Sequence, residues 1–261
     1  MSSLVATLEG VGFWATGLPS WDAACDYVTT GVRPDNPPQR PSPQLLAPNE
    51  RRRAPESVAV ALEVALAACA AAGRDPKTLP SVFASTHGDL GITDYMCTTL
   101  SEDAASISPT RFHNSVHNAA AGYRTIGAGC VEPTTAVSSY DASFAQGLIE
   151  AMVQLRAGAP AVLLVAFDSA SNGPLSAVSS SEGLLGGAMV LSNTPRHDLP
   201  QLRLTLVDGH ARRPQGALAN LLGGNAMAPM LPLFQALAGG QDLLALHAGP
   251  ERKLRVEIAH A

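Results

Sequence analysis

Aromatic side chains make up only 5% of this sequence and Asp, Glu, Lys and Arg only 15%, while 46% of it is hydrophobic. Low charge with abundant small apolar residues excludes a chain disordered throughout and indicates a close-packed globular core. There is no excess of basic residues either: 17 Lys and Arg against 22 Asp and Glu leave a net charge of −5. That balance argues against nucleic acid or an anionic membrane as a partner held by bulk electrostatics. The four cysteines, Cys25, Cys69, Cys97 and Cys130, form no CxxC pair, and the start MSSLVATLEG lacks the basic and apolar regions of a secretory signal. The chain therefore reads as reduced and cytoplasmic. Its most apolar stretch, residues 58 to 72, is interrupted by Glu63 and falls short of the roughly 20 residues that cross a bilayer, so no membrane span is expected.

What is present is an alternation of strand-like and helix-like segments over one domain, residues 1–261. LVATLEGVGFWATG is strand-like and PSWDAACDYVTTG is helix-compatible. Prolines across residues 33–48 then interrupt regular structure and predict a surface loop. Arg51, Arg52 and Arg53 precede Pro55 and an apolar series ending at Gly73, which predicts a buried helix with an N-terminal proline. The arginines suit a solvated face or an acidic partner. PSVFAST, PTTAVSS and AVLLVAF predict strands, with helices over GITDYMCTTL, over PTRFHNSVHNAAAGYRTIGAG as one element, and over YDASFAQGLIEAMVQLRAG, where Phe144, Leu148, Ile149, Met152 and Leu155 recur at helical spacing. GGAMVLS, QLRLTLVDGH and KLRVEIA read as further strands. The class this predicts is an α/β layered fold around a mostly buried sheet.

Several polar residues draw notice. His113 and His117 stand four apart, a spacing that puts both on one face of a single helix and could hold a metal, but no third ligand is evident. Hydrogen bonding or a partner-facing role for His113, Asn114, His117 and Asn118 is the preferred reading, with no metal and no cofactor expected. His87, before Gly88 and Asp89, reads as a loop histidine.

GVGFWATG, NAAAGYRTIGAG, GLLGGAMVLS and above all SSYDASFAQGLIEAMVQLRAGAPAVLLVAFDS resemble the N-terminal half of β-ketoacyl synthases. FHNSVHNAAAGY with SSYDASFAQGLIEA is similar to the short chain-length-factor-like members associated with aryl polyene pigments. The resemblance implies a thiolase-like layered fold, truncated relative to a full ketosynthase, with residues 202–261 as a reduced C-terminal part. Laid without gaps, it places Asp141 at the nucleophilic cysteine, Ser143 at a small-residue position and Phe144 as bulk in an acyl tunnel. A carboxylate cannot become a thioester, and the family's HGTGT and NxFGFGG histidine motifs are absent; His210 and His247 stand in unrelated contexts. The resemblance thus implies a noncatalytic subunit that pairs with an active ketosynthase, meets acyl carrier protein through that complex, and forms a homodimer when alone. Asp141 could cap a helix or line the tunnel. The alternative is an acyltransferase or hydrolase acting through Ser138 or Ser139, although no GxSxG motif surrounds them. A half-length fold is also expected to leave an apolar sheet face uncovered, ready for a partner.

Overall fold

The computed structural model describes residues 3–260. Eight strands form one sheet in the order β3-β2-β4-β5-β1-β6-β8-β7. They are β1 (Leu4–Ala15), β2 (Ser81–Ala84), β3 (Thr134–Val137), β4 (Ala161–Asp168), β5 (Leu185–Ser192), β6 (Gln201–Asp208), β7 (Leu243–His247) and β8 (Arg252–Ala259). β2 runs parallel to both β3 and β4, and every other pairing is antiparallel. Among the described residues nine α-helices connect or flank them: α1 (Trp21–Thr30), α2 (Pro48–Arg53), α3 (Glu56–Ala71), α4 (Leu90–Glu102), α5 (Pro109–His113), α6 (Ala119–Ala128), α7 (Ser143–Arg156), α8 (Ala217–Leu222) and α9 (Leu231–Gly239). None is long and apolar enough to cross a membrane.

The two-residue period of the strands divides the core. Along β4, Val162, Leu164 and Ala166 enter the cluster shared with α7 and α9. Leu163, Val165 and Phe167 enter the opposite cluster, built on α3 and α6. Both faces of this strand are covered, which is why it reads as an unbroken apolar run. α3 approaches β1 so closely that a Cβ on Gly12 would lie 2.1 Å from the Val64 carbonyl oxygen, and one on Gly10 2.4 Å from that of Ala68. The small residues of GVG are therefore what lets the helix sit down on the strand.

Two expectations change. The segment from Pro109 is two helices: α5 ends at His113, its Asn114 cap turns back with its N–H on Thr110 and Arg111 carbonyls, and α6 starts at Ala119. Ser115 Oγ donates back to the Phe112 carbonyl at 2.8 Å, a local backbone bond of the kind that competes with helix continuation. Residues 201–259 add β6, β8 and β7 to the sheet and supply α8 and α9. Where an uncovered apolar sheet face was expected, none results among the described residues. The outer side of the added strands carries charge, with Arg255 2.8 Å and Arg203 3.7 Å from Glu257. Sequence patterning did not disclose α8 or β7, which are short and lack clean periodicity.

Candidate functional site

The carboxyl ends of β2, β3 and β4 meet at one place, as ligand sites in α/β sheets commonly do. β3 leads into Ser138 and Ser139, then a single 3-10 turn, Tyr140–Ala142, and then α7. Tyr140 has φ +52°, a left-handed conformation a bulky side chain seldom adopts. Ser143, 1% exposed, holds this turn: its Oγ accepts from the Ser139 N–H at 2.9 Å and donates to the Tyr140 carbonyl at 2.6 Å. From β2, Thr86 Oγ1 donates to that same carbonyl at 3.3 Å, and Ser138 Oγ donates to the Thr86 carbonyl at 3.1 Å.

Asp141 does not cap α7. The helix begins after Ala142 with no side-chain cap, because the 3-10 turn carries Asp141 ahead of the first helical amides. Its Oδ1 lies 3.2 Å from His247 Nε2 on β7, with 57% of the Asp141 side chain and 30% of the His247 side chain exposed. His247, set aside for want of a motif, is thus brought to the position that sequence spacing assigned to the nucleophile. Asp141 faces two adjoining cavities. One, of about 420 Å³, is lined also by Thr86, Tyr140, Ser179, Arg213 and Asn225; the other, of about 190 Å³, by His247, Arg212 and Arg213.

Beneath the larger cavity lies a buried polar hub. Asp168, 0% exposed at the end of β4, accepts from Ser85 Oγ at 2.7 Å, Thr86 N–H at 3.0 Å and His87 N–H at 3.3 Å. Burial pushes its carboxyl above the usual range, opposed by the Ser85 and Thr86 hydrogen bonds. Ser85 Oγ in turn accepts from the Gly88 N–H at 2.8 Å. Asn225 Nδ2 donates to the Asp168 carbonyl at 3.3 Å and to that of Glu182 at 3.0 Å, tying the C-terminal part to the hub. His87 Nε2 meets Ser179 Oγ, while His87 Nδ1 is buried without a partner. The sequence held one signal for this hub: a charged residue closing a wholly apolar strand.

The other candidates lie elsewhere. His113 is exposed, edge-on to Tyr123 at 6.1 Å. His117 Nε2 is 2.9 Å from the Ser85 carbonyl. Asn114 is buried with no partner for Oδ1, and Asn118 starts α6 without a side-chain cap. The helix break separates His113 from His117, and among the described residues no group of three or more His, Cys, Asp or Glu is placed to hold a metal. Phe144 is 2% exposed, packs 6.2 Å from Phe234, and lines neither cavity at Asp141. Its place is the core, where the inward face of α7 meets α9. Ser138 spends its hydroxyl on the Thr86 carbonyl, and no histidine hydrogen-bonds to Ser138 or Ser139 among the described residues. No cysteine lines either cavity, and burial pushes the Cys25 and Cys69 thiols up to about 11, far from the reactive thiolate range.

Residues 25–245 match the family model described as the β-ketoacyl synthase N-terminal domain. No curated protein matches the chain. Among solved structures, a complex of a ketosynthase, ApeO, with its chain length factor, ApeC, from Xenorhabdus doucetiae aligns at TM-score 0.75 and 22% identity, over 97% of this chain and 99% of that one. The ishigamide ketosynthase/chain length factor aligns at 0.74 and 14%, over 98% and 99%. A β-ketoacyl synthase from Burkholderia phymatum aligns at 0.58 and 16%, over 92% of this chain and 71% of that one. At these identities the likeness establishes the ketosynthase fold.

Proposed function

We propose, from the premise that this chain belongs to the β-ketoacyl synthase N-terminal domain family, that it is a noncatalytic, chain-length-factor-like subunit. It pairs in the cytoplasm with an active ketosynthase and helps shape the path of the growing acyl chain, with aryl polyenes as the product class. The observation that carries the reading is Asp141, a carboxylate paired with His247 at the turn where the family's sequence spacing calls for a thiol. A carboxylate there cannot carry an acyl group as a thioester. The absence of any cysteine from the cavity lining supports the same conclusion.

Partnering is supported by the surface around β3. This short strand is a sheet edge with unpaired backbone groups on its outer side, and unpaired edges invite pairing with another chain. α6 and the turn after it expose Ile126 at 80% and Val131 at 93% nearby. Acyl carrier protein is met through the complex, and the same edge serves a homodimer when the ketosynthase is absent.

Coexpression with a cognate ketosynthase tests the reading. The two chains are expected to copurify and elute as one 1:1 species at micromolar concentration, and Val131→Glu with Ile126→Glu is expected to separate them. Elution as independent species by the unmodified chains would contradict the proposal.

A further inference from the structure

We propose that the cavity between α2, α4 and α5 is a binding site for a small zwitterion, a molecule that carries both a carboxylate and an ammonium as a free amino acid does. The proposal does not depend on pairing with a ketosynthase, and this cavity shares no lining residue with the two at Asp141.

The cavity holds about 620 Å³, within the range of small-molecule sites. Two of its walls each present one guanidinium and one acceptor, three residues apart: Arg53 and Glu56 at the junction of α2 with α3, Arg111 and Asn114 on α5 and its cap. On one continuous helix Arg53 and Glu56 would be neighbours able to pair. Here α2 stops at Arg53, Ala54 and Pro55 turn to ψ 136° and 153°, and α3 starts only at Glu56. Among the described residues neither side chain takes part in an ion pair. Both charges are therefore left to whatever enters. Asp89, the other carboxylate on the cavity wall, is already engaged by Ser57 Oγ at 2.7 Å and the Ile92 N–H at 3.0 Å.

On the α5 wall, the Arg111 guanidinium lies 4.0 Å from the centroid of the Tyr95 ring, a contact that fixes its place without neutralising its charge. Asn114 is 6% exposed, and its Oδ1 has no hydrogen-bond partner. An unmet buried acceptor is costly and rare in native proteins, and a donor from a ligand removes that cost. The two guanidiniums each offer a planar fork of donors that matches a carboxylate. The Glu56 carboxylate and the Asn114 oxygen match an ammonium. A simple anion or a simple cation would leave half of this set unmet, whereas a zwitterion satisfies both halves.

The test titrates the full chain with glycine, whose charges are adjacent, and separately with γ-aminobutyrate, whose charges are three methylenes apart; butyrate and butylamine serve as single-charge controls. NMR follows the ring signals of Tyr95, beside Arg111. A shift that saturates by about 10 mM is expected with at least one zwitterion, and the tighter of the two gives the charge spacing. Both controls are expected to bind at least tenfold more weakly. Arg111→Gln and Glu56→Gln are each expected to weaken binding at least tenfold; both side chains are exposed, so the fold persists, which an unchanged Tm verifies. Asn114→Leu is expected to weaken binding while leaving Tm unchanged or higher, because it removes the unmet oxygen; an asparagine with only a structural role would lower Tm and leave affinity as it was. Absence of saturation with both zwitterions, a single-charge control that binds as tightly, or equal affinity in wild type and Arg111→Gln overturns the proposal.

Discussion

Phe144→Ala is expected to destabilise the chain by about 3–5 kcal/mol, the usual cost of emptying a fully buried phenylalanine site. The side chain is 2% exposed and packs on Phe234, the hub of a cluster of four aromatic rings. Phe13, Trp21 and Phe144 lie 5.4, 5.8 and 6.2 Å from Phe234, so removing one ring leaves a void its neighbours fill only in part. Phe144→Leu keeps most of the volume and is expected to cost under about 1.5 kcal/mol. Denaturant unfolding measures both. The leucine variant also separates core from tunnel: product length from the assembled complex is expected to be unchanged, and a changed length with stability preserved would return Phe144 to the acyl path.

Asp168→Ala carries the second large effect. It leaves Ser85 Oγ–H and the N–H groups of Thr86 and His87 without their shared acceptor, at roughly 1–3 kcal/mol for each orphaned buried donor. Relief from burying a carboxylate offsets part of this, and the net loss is expected at about 2–4 kcal/mol. The sign with pH follows from burial, which raises the folded-state pKa above the ordinary value of about 3.9. The carboxyl's contribution is therefore greatest below the unfolded pKa and declines as pH rises through the folded one. The destabilisation by Asp168→Ala is accordingly expected to be largest in acid and to shrink toward neutrality. A loss that grew with pH would mean that the hub lowers the carboxyl's pKa, opposite to the effect assigned here.

Much of the architecture was legible in the sequence because local and global signals agree. AVLLVAF is apolar at every position and has a layer on each face; Phe144, Leu148, Met152 and Leu155 repeat at the helical period and all face the core. The same periodicity left more than one reading open. It marked Phe144 as apolar and inward, which its burial bears out and which is true of a tunnel wall and of a core residue alike; its ring packs on Phe234 of α9. It also carried one helix through residues 114 to 118, where the chain turns at Asn114 and Ser115 Oγ bonds back to the Phe112 carbonyl. The site was legible from one side. The turn at Ser138 to Ser143 follows from contiguous residues, whereas Arg213 and Asn225 reach it from the connection between β6 and β7 and His247 from β7 itself, brought near by sheet order that no local pattern encodes. Asp168 was visible only as a charge at the end of an apolar strand, and its three donors lie more than eighty residues upstream.

In the proposed complex, Asp141 keeps this chain free of an acyl group and the ketosynthase carries it. Intact mass of each subunit, measured after the copurified complex is incubated with acyl-loaded carrier protein, tests this most directly. The account predicts an acyl adduct on the ketosynthase and an unmodified mass for this chain. An adduct of the acyl mass on this chain would contradict it.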